Sequence, residues 1–137
     1  MTMQRVMNEM KINAPSIPCG TSLVAVVDLF VKHQINAVPV VNTEHAVIGF
    51  VSESDCMQAL ISGSYHCDKP AIVNDVMSKD VVSVSPQDSI IDTAIRMSKD
   101  NFSVYPVVEA SKLVGIISRS DILQVLAENN NQCNQMG

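Results

Sequence analysis

Two short strings in this chain place a serine three residues ahead of an aspartate: Ser52-Glu53-Ser54-Asp55 and Ser118-Arg119-Ser120-Asp121. Apolar residues follow at helical spacing, so each string reads as the start of a helix. An aspartate in a first helical turn is stabilised by the dipole, and its carboxylate can accept hydrogen bonds from vicinal hydroxyls such as those of a ribose. The serine offers a hydroxyl beside backbone N–H groups that lack a partner within the helix, a setting suited to phosphate. The same spacing is that of a capping box, in which serine and acid satisfy each other's backbone and nothing more. Both uses draw on the same amides and can coexist. The strings differ at one charge: a phosphate beside Arg119 gains a charge-assisted partner, and one beside Glu53 meets repulsion.

The elements that must position these strings also come twice. GFVSESDCMQAL (49–60) is answered by GIISRSDILQVL (115–126), and NAVPVV (36–41) by SVYPVV (103–108). Such self-similarity points to two like units facing each other, with any binding function between them. Pro39 and Pro106, like Leu23 and Ile90, are 67 residues apart, whereas Gly49 and Gly115, like Asp55 and Asp121, are 66 apart. The lost residue falls in NTEHA against EASK, polar loop tips where deletions cost least. Pairing Met7 with Met77 gives an offset of 70, which assigns the first copy about three extra residues in KINAPSIPC. The repeat, roughly 55–60 residues, is small for independent stability.

Each repeat reads strand–helix–strand–strand–helix. Leu23, Val27, Phe30 and Val31, then Ile90, Ala94 and Met97, recur at helical spacing, with Thr21-Ser22 and Asp88-Ser89 placed to cap. Two β-rich runs joined by a polar turn follow in each copy, with Pro39 and Pro106 near the strand starts. A second helix is expected over Asp55–Ile61 and Asp121–Ala127. Met7, Met77 and the Leu23 and Ile90 stripes are expected in the core, and His33, ending a helix, in solvent. The fold class is α/β (α+β), two pseudo-symmetric β-α-β-β-α repeats packed through their sheets. Repeat 1 spans 3–62, a linker 63–71, repeat 2 72–127 and a disordered tail 128–137.

A hydrophobic share of 47% befits a globular chain, and no apolar run of about 18 residues exists to span a membrane. MTMQRVMNEMKIN has no apolar stretch between its charges, so no signal peptide is expected. Nine Lys plus Arg against fourteen Asp plus Glu, a net charge of −5 without a basic run, argues against nucleic acid. Cys19, Cys56, Cys67 and Cys133 show no CxxC spacing and are expected as reduced thiols in a cytoplasm. His33, His45 and His66 lack ligand spacing, so no metal site is expected. No Gly-rich phosphate loop, no nucleophile with a placed base and no paired-carboxylate cleft supports an enzyme.

A helix followed by φ-x-x-φ-P-V-V, a short loop and φ-φ-G-φ-φ-S-x-S-D-φ-φ resembles the cystathionine-β-synthase (CBS) domain, and two in tandem resemble a Bateman module. The second copy fits from DVMSKDVVSVSP (75–86) onward; the first fits from Thr21 onward, with Cys19 in place of the expected proline. The two matches cover about residues 3–127. The resemblance implies that roles cross between the repeats. In the favoured crevice Asp121, Ser118 and Ser120, aided by Arg119, would hold ribose and phosphate. Backbone around Ile35, Asn36, Ala37, Lys11 and Ile12 would frame the adenine, with Ile116 as an apolar wall. The weaker crevice would use Asp55, Ser52 and Ser54 with Phe50, Lys79, Asp80, Phe102, Ser103 and Val104.

The function this implies is that of a stand-alone, non-catalytic cytoplasmic module requiring no cofactor. It would bind AMP, ADP, ATP or S-adenosylmethionine and signal to an unknown protein partner by a change in shape. The alternative is a ligand-free structural or dimerising module in which the S-x-S-D strings only cap helices. Neither SVYP nor NAVP carries a further basic residue, which disfavours a tightly held triphosphate. A homodimer is expected, because Leu23, Val24, Val27, Phe30 and Val31, and Ile90, Ile91, Ala94, Ile95 and Met97, form stripes wide enough to serve both a sheet and a second chain.

Overall fold

Serines start both long amphipathic helices as the capping signals require. Ser22 Oγ accepts the Ala25 N–H at 3.2 Å, and Ser89 Oγ accepts the Asp92 N–H at 3.0 Å. The computed structural model describes residues 4–62, 70–100 and 102–136, with side chains described as far as 130 in the last helix. In order, the elements are α1 (Val6–Glu9), β1 (Ile17–Pro18), α2 (Leu23–His33), β2 (Ala37–Val41), β3 (Val47–Ser52), α3 (Glu53–Ile61), a 3-10 turn (Val73–Asp75), α4 (Ile90–Asp100), β4 (Val104–Glu109), β5 (Lys112–Ser118) and α5 (Arg119–Met136). The mixed α/β character expected from the repeats is present. β1, β2 and β3 form one sheet in that order, β1 parallel to β2 and β2 antiparallel to β3; β4 and β5 form another. No described helix is long and apolar enough to cross a membrane.

The chain divides into two compact units that do not follow its order. One, the α2–α3 unit, holds Pro15–Val81 with Ser111–Leu113; the other, the α4–α5 unit, holds the residues up to Ala14, Val82–Ala110 and those from Val114 on. Each repeat thus lends its leading segment to the unit built from the other repeat's helices. In the α4–α5 unit, Val6 N–H donates to Asp88 C=O at 2.9 Å and Ile90 N–H to Gln4 C=O at 3.0 Å. In the α2–α3 unit, Val73 N–H donates to Thr21 C=O at 2.7 Å and Leu23 N–H to Ala71 C=O at 3.0 Å. Val6 and Val73 are both fully buried.

These matched bonds correct the repeat register. Gln4 answers Ala71 and Val6 answers Val73, so the offset of 67 seen at Leu23 and Ile90 holds to the start of the described chain. Met77 therefore corresponds to Met10, not Met7, and the first copy carries no extra residues. Met7 is 48% exposed rather than in the core, while Met10 and Met77 pack against the two buried clusters. One cluster gathers Val6, Ile90, Met97, Tyr105, Val107, Ile117 and Ile122; the other gathers Ile17, Leu23, Val26, Phe30, Val38, Val51 and Val73.

Pro39 lies inside β2 rather than at its start, and the lent segment explains how the sheet tolerates it. Its partner across the ladder is Phe50, whose N–H and C=O are both taken by Ser78, at 2.9 and 2.8 Å. Phe50 therefore loses no partner to the missing proline amide. Lys11 makes the equivalent bonds to Ile116, at 2.9 and 3.0 Å. The β2–β3 loop is held by Asn42 Oδ1, which accepts from Glu44 and Ala46; β4 and β5 are joined through Ala110 and Ser111, both at positive φ as a tight hairpin turn requires.

The expected disordered tail is instead helical: α5 continues through Met136. No Gly or Pro interrupts 119–136, so nothing stops a helix already nucleated on the buried Ile122 and Val125. Most of the expected linker lies outside the described residues, as do Cys67 and His66. Cys19 and Cys56 are free, and burial, then Asp55 and Glu53, pushes the Cys56 thiol up.

Tyr105 is 1% exposed, and its hydroxyl donates to Asp100 Oδ2 at 3.0 Å. Burial first, then this bond, pushes the phenol up from 10 to about 12. A raised acid pKa means that the fold favours the neutral phenol. That contribution is intact below pH 10 and is lost as pH rises through about 12. Urea titrations should show the stability advantage of the wild type over Tyr105→Phe shrinking across that window. An advantage that stays constant with pH would contradict it.

Candidate functional site

The two S-x-S-D strings fold alike. In each, the serine is the last residue of a strand, and the turn from strand to helix places the aspartate three residues on, back over the serine. Ser118 N–H donates to Asp121 Oδ2 at 3.0 Å, and Asp121 N–H donates to Ser118 Oγ at 3.2 Å. Ser52 and Asp55 repeat both bonds at 3.0 and 3.2 Å. The capping box foreseen from the spacing is therefore formed twice. Ser118 Oγ also donates to Asp121 Oδ2 at 2.8 Å. Capping occupies one oxygen of each carboxylate and leaves Oδ1 outside it. The second serines of the strings, Ser54 and Ser120, are exposed.

Around Asp121 the α4–α5 unit assembles several of the residues expected there. The Lys11–Ile116 bridge carries the lysine past the helix start, and Lys11 Nζ lies 4.0 Å from Asp121 Oδ1. Asp121 is 16% exposed and Lys11 67%, so the carboxylate is sheltered and the ammonium free to swing. This approach depends on Gly115. A Cβ there would stand 2.7 Å from the Lys11 carbonyl oxygen and 3.3 Å from Met10 Sδ. Ile12 follows Lys11 and is exposed.

Arg119 is pinned at its backbone and its tip. Its N–H donates to Ser103 C=O at 2.7 Å, and its guanidinium to Phe102 C=O at 3.0 Å. Phe102 and Ser103, followed by Val104 at the start of β4, thus sit at the Asp121 helix start, although the family resemblance had grouped them with Asp55. Likewise Ile35, Asn36 and Ala37, grouped with Asp121, belong to the α2–α3 unit, where Asn36 C=O accepts the Glu53 N–H at 2.9 Å. Phe50, Ser52, Ser54, Asp55, Lys79 and Asp80 are in that same unit. Within each unit the helix start is tied to the strand entry of its own repeat and to the leading segment of the other.

The position opposite Lys11 was missed from the sequence. In the corrected register it is Ser78, which bridges to Phe50 as Lys11 bridges to Ile116. The signal lay in the offset of 67, which joins 11 to 78 once Met10 is matched to Met77. Among the differences between the two helix starts are Lys11 against Ser78 and Arg119 against Glu53.

The CBS-domain family model matches residues 4–62 and again residues 73–128. The chain belongs to the CBS-domain family. Solved CBS proteins share its fold over nearly their whole lengths. A putative acetoin utilization protein, AcuB from Vibrio cholerae, is 30% identical, with a TM-score of 0.83 over 99% of this CBS chain and 98% of that one. CBSX2, solved in complex with AMP, is 26% identical, with a TM-score of 0.78 over 93% and 98%. The CBS domain pair of protein MJ0100, solved with 5′-methylthioadenosine and S-adenosyl-L-methionine, is 25% identical, with a TM-score of 0.75 over 90% and 99%. The chain spans 35% and 38% of the length of the first curated relatives it matches.

Proposed function

We propose that this CBS chain is a non-catalytic regulatory module that binds an adenosine-containing ligand at its S-x-S-D helix starts and passes the change to a protein partner. The observation that carries this reading is the divided use of the Asp121 carboxylate. Oδ2 holds the cap, while Oδ1 makes no hydrogen bond among the described residues, with Lys11 Nζ at 4.0 Å beyond hydrogen-bond length, and can accept a ribose hydroxyl. The N-terminus of α5 and Arg119 supply the donors that a phosphate needs. AMP in CBSX2, and methylthioadenosine with S-adenosylmethionine in MJ0100, support the adenosyl class.

Thermal-shift measurements with AMP, ADP, ATP, S-adenosylmethionine and NADH test it. A ligand at about one hundred times its dissociation constant stabilises by roughly 2.7 kcal/mol, a clear rise in melting temperature. If none of the five raises it at millimolar concentration, the structural reading replaces this one. The completed capping boxes, which hold without any ligand, favour that second reading.

The same module is proposed to act as a homodimer. Leu23, Phe30, Ile90 and Met97 turn into the cores, but Val24 and Ile91 remain 63% and 54% exposed at equivalent points of α2 and α4. Met57 on α3 and Leu123 on α5 repeat this, 59% and 57% exposed. A matching apolar pair on each unit suits closed two-fold association. Light scattering should report close to twice the chain mass of 14.9 kDa, and a monomer at tens of micromolar would refute the dimer.

A further inference from the structure

We infer that the Asp121 helix start selects adenosine ligands by charge, taking those that carry a phosphate in preference to neutral nucleosides and to sulfonium compounds. This rests on the adenosine-ligand reading above and adds the chemical class of the ligand. Lys11, Arg119 and Asp121 lie together in one unit: Lys11 Nζ reaches within 4.0 Å of the carboxylate, and Arg119 is fixed on Phe102 C=O at 3.0 Å. Two cations against one carboxylate leave a local charge of +1. The residues that follow Lys11, Ile12 and Asn13, are uncharged. Only part of the guanidinium is used by Phe102, so donors remain for a phosphate.

The equivalent group in the α2–α3 unit has the opposite sign. Ser78 replaces Lys11 and Glu53 replaces Arg119, and Lys79 and Asp80 stand where Ile12 and Asn13 do. Glu53, Asp55 and Asp80 against Lys79 leave −2, three charges below the Asp121 group. The helix-start and bridge bonds named above recur in both units, so side-chain charge is the chief difference between the two groups. An anion entering beside Asp121 is attracted and gives the exposed lysine a nearer partner than the carboxylate 4.0 Å away; a sulfonium there meets two cations.

Titration calorimetry on the full chain carrying Asp55→Ala, with AMP, adenosine and S-adenosylmethionine as probes, tests the selection. AMP should bind about tenfold or more tighter than adenosine, and S-adenosylmethionine weaker than adenosine. The AMP advantage should shrink as salt rises from about 0.05 to 0.3 M, with adenosine unaffected. Adding Lys11→Met should lower the ratio of AMP to adenosine affinity to about threefold or less, since the charge is lost while the Lys11 backbone bridge remains. Arg119→Gln should act in the same direction, which keeps the test open if one variant folds poorly. Equal affinities for AMP and adenosine, or a ratio unmoved by both substitutions, would overturn the charge selection and leave the adenosine reading standing. Absence of binding by all three probes would overturn both.

Discussion

Asp121→Ala should remove most adenosine-ligand binding, whereas Asp55→Ala should remove much less. Both substitutions delete the same capping acceptor, since each aspartate receives its serine N–H at 3.0 Å. Each should therefore lower the stability of the ligand-free protein by about 1 kcal/mol, and by similar amounts. The difference should appear only with ligand. Asp121 has Lys11 and Arg119 in its own unit, and Asp55 has Ser78 and Glu53. Calorimetry should show the Asp121 variant losing tenfold or more in affinity, about 1.4 kcal/mol. Equal losses from the two would contradict the asymmetry.

Gly115→Ala should be the more damaging of the two equivalent glycine substitutions. Its Cβ would press on the Lys11 carbonyl oxygen at 2.7 Å, a backbone atom held by the Ile116 N–H. Relief requires the leading segment to move away, which breaks the bridge and carries Lys11 from Asp121. At Gly49 the obstacle is the Met77 side chain, which is flexible and can repack. Overpacking against a fixed partner costs about 1–3 kcal/mol, so Gly115→Ala should lower the melting temperature by several degrees and weaken binding. Gly49→Ala should do neither to the same extent. Equal effects would show that the lent segments are not held as rigidly as the hydrogen bonds imply.

The local features of this fold were legible because each has a local cause. Ser22 and Ser89 cap as their positions demand, the hairpins form between the β-rich runs, and Ser52 with Asp55 and Ser118 with Asp121 make the boxes their spacing allows. The exchange of leading segments was not legible. Residues 4–14 and 71–78 pair with strands and helices of the other repeat through single bridges, which leave no periodicity in the sequence. Two methionines three apart, Met7 and Met10, then offered a choice that only the offset of 67 decides. The wrong choice hid Ser78 as the counterpart of Lys11. It also left Lys11 as a backbone contact, although its ammonium lies 4.0 Å from Asp121 Oδ1. The long α5 was obscured by polar residues that lack an apolar stripe yet contain no helix breaker.

A crystal structure of the protein grown with AMP tests the central claim most directly. The account predicts the ribose hydroxyls within hydrogen-bond distance of Asp121 Oδ1, the phosphate against Arg119 and Lys11, and Oδ2 still receiving the Ser118 N–H. AMP bound away from Asp121, or an Asp121 carboxylate that only caps its helix in crystals grown at millimolar AMP, would contradict it.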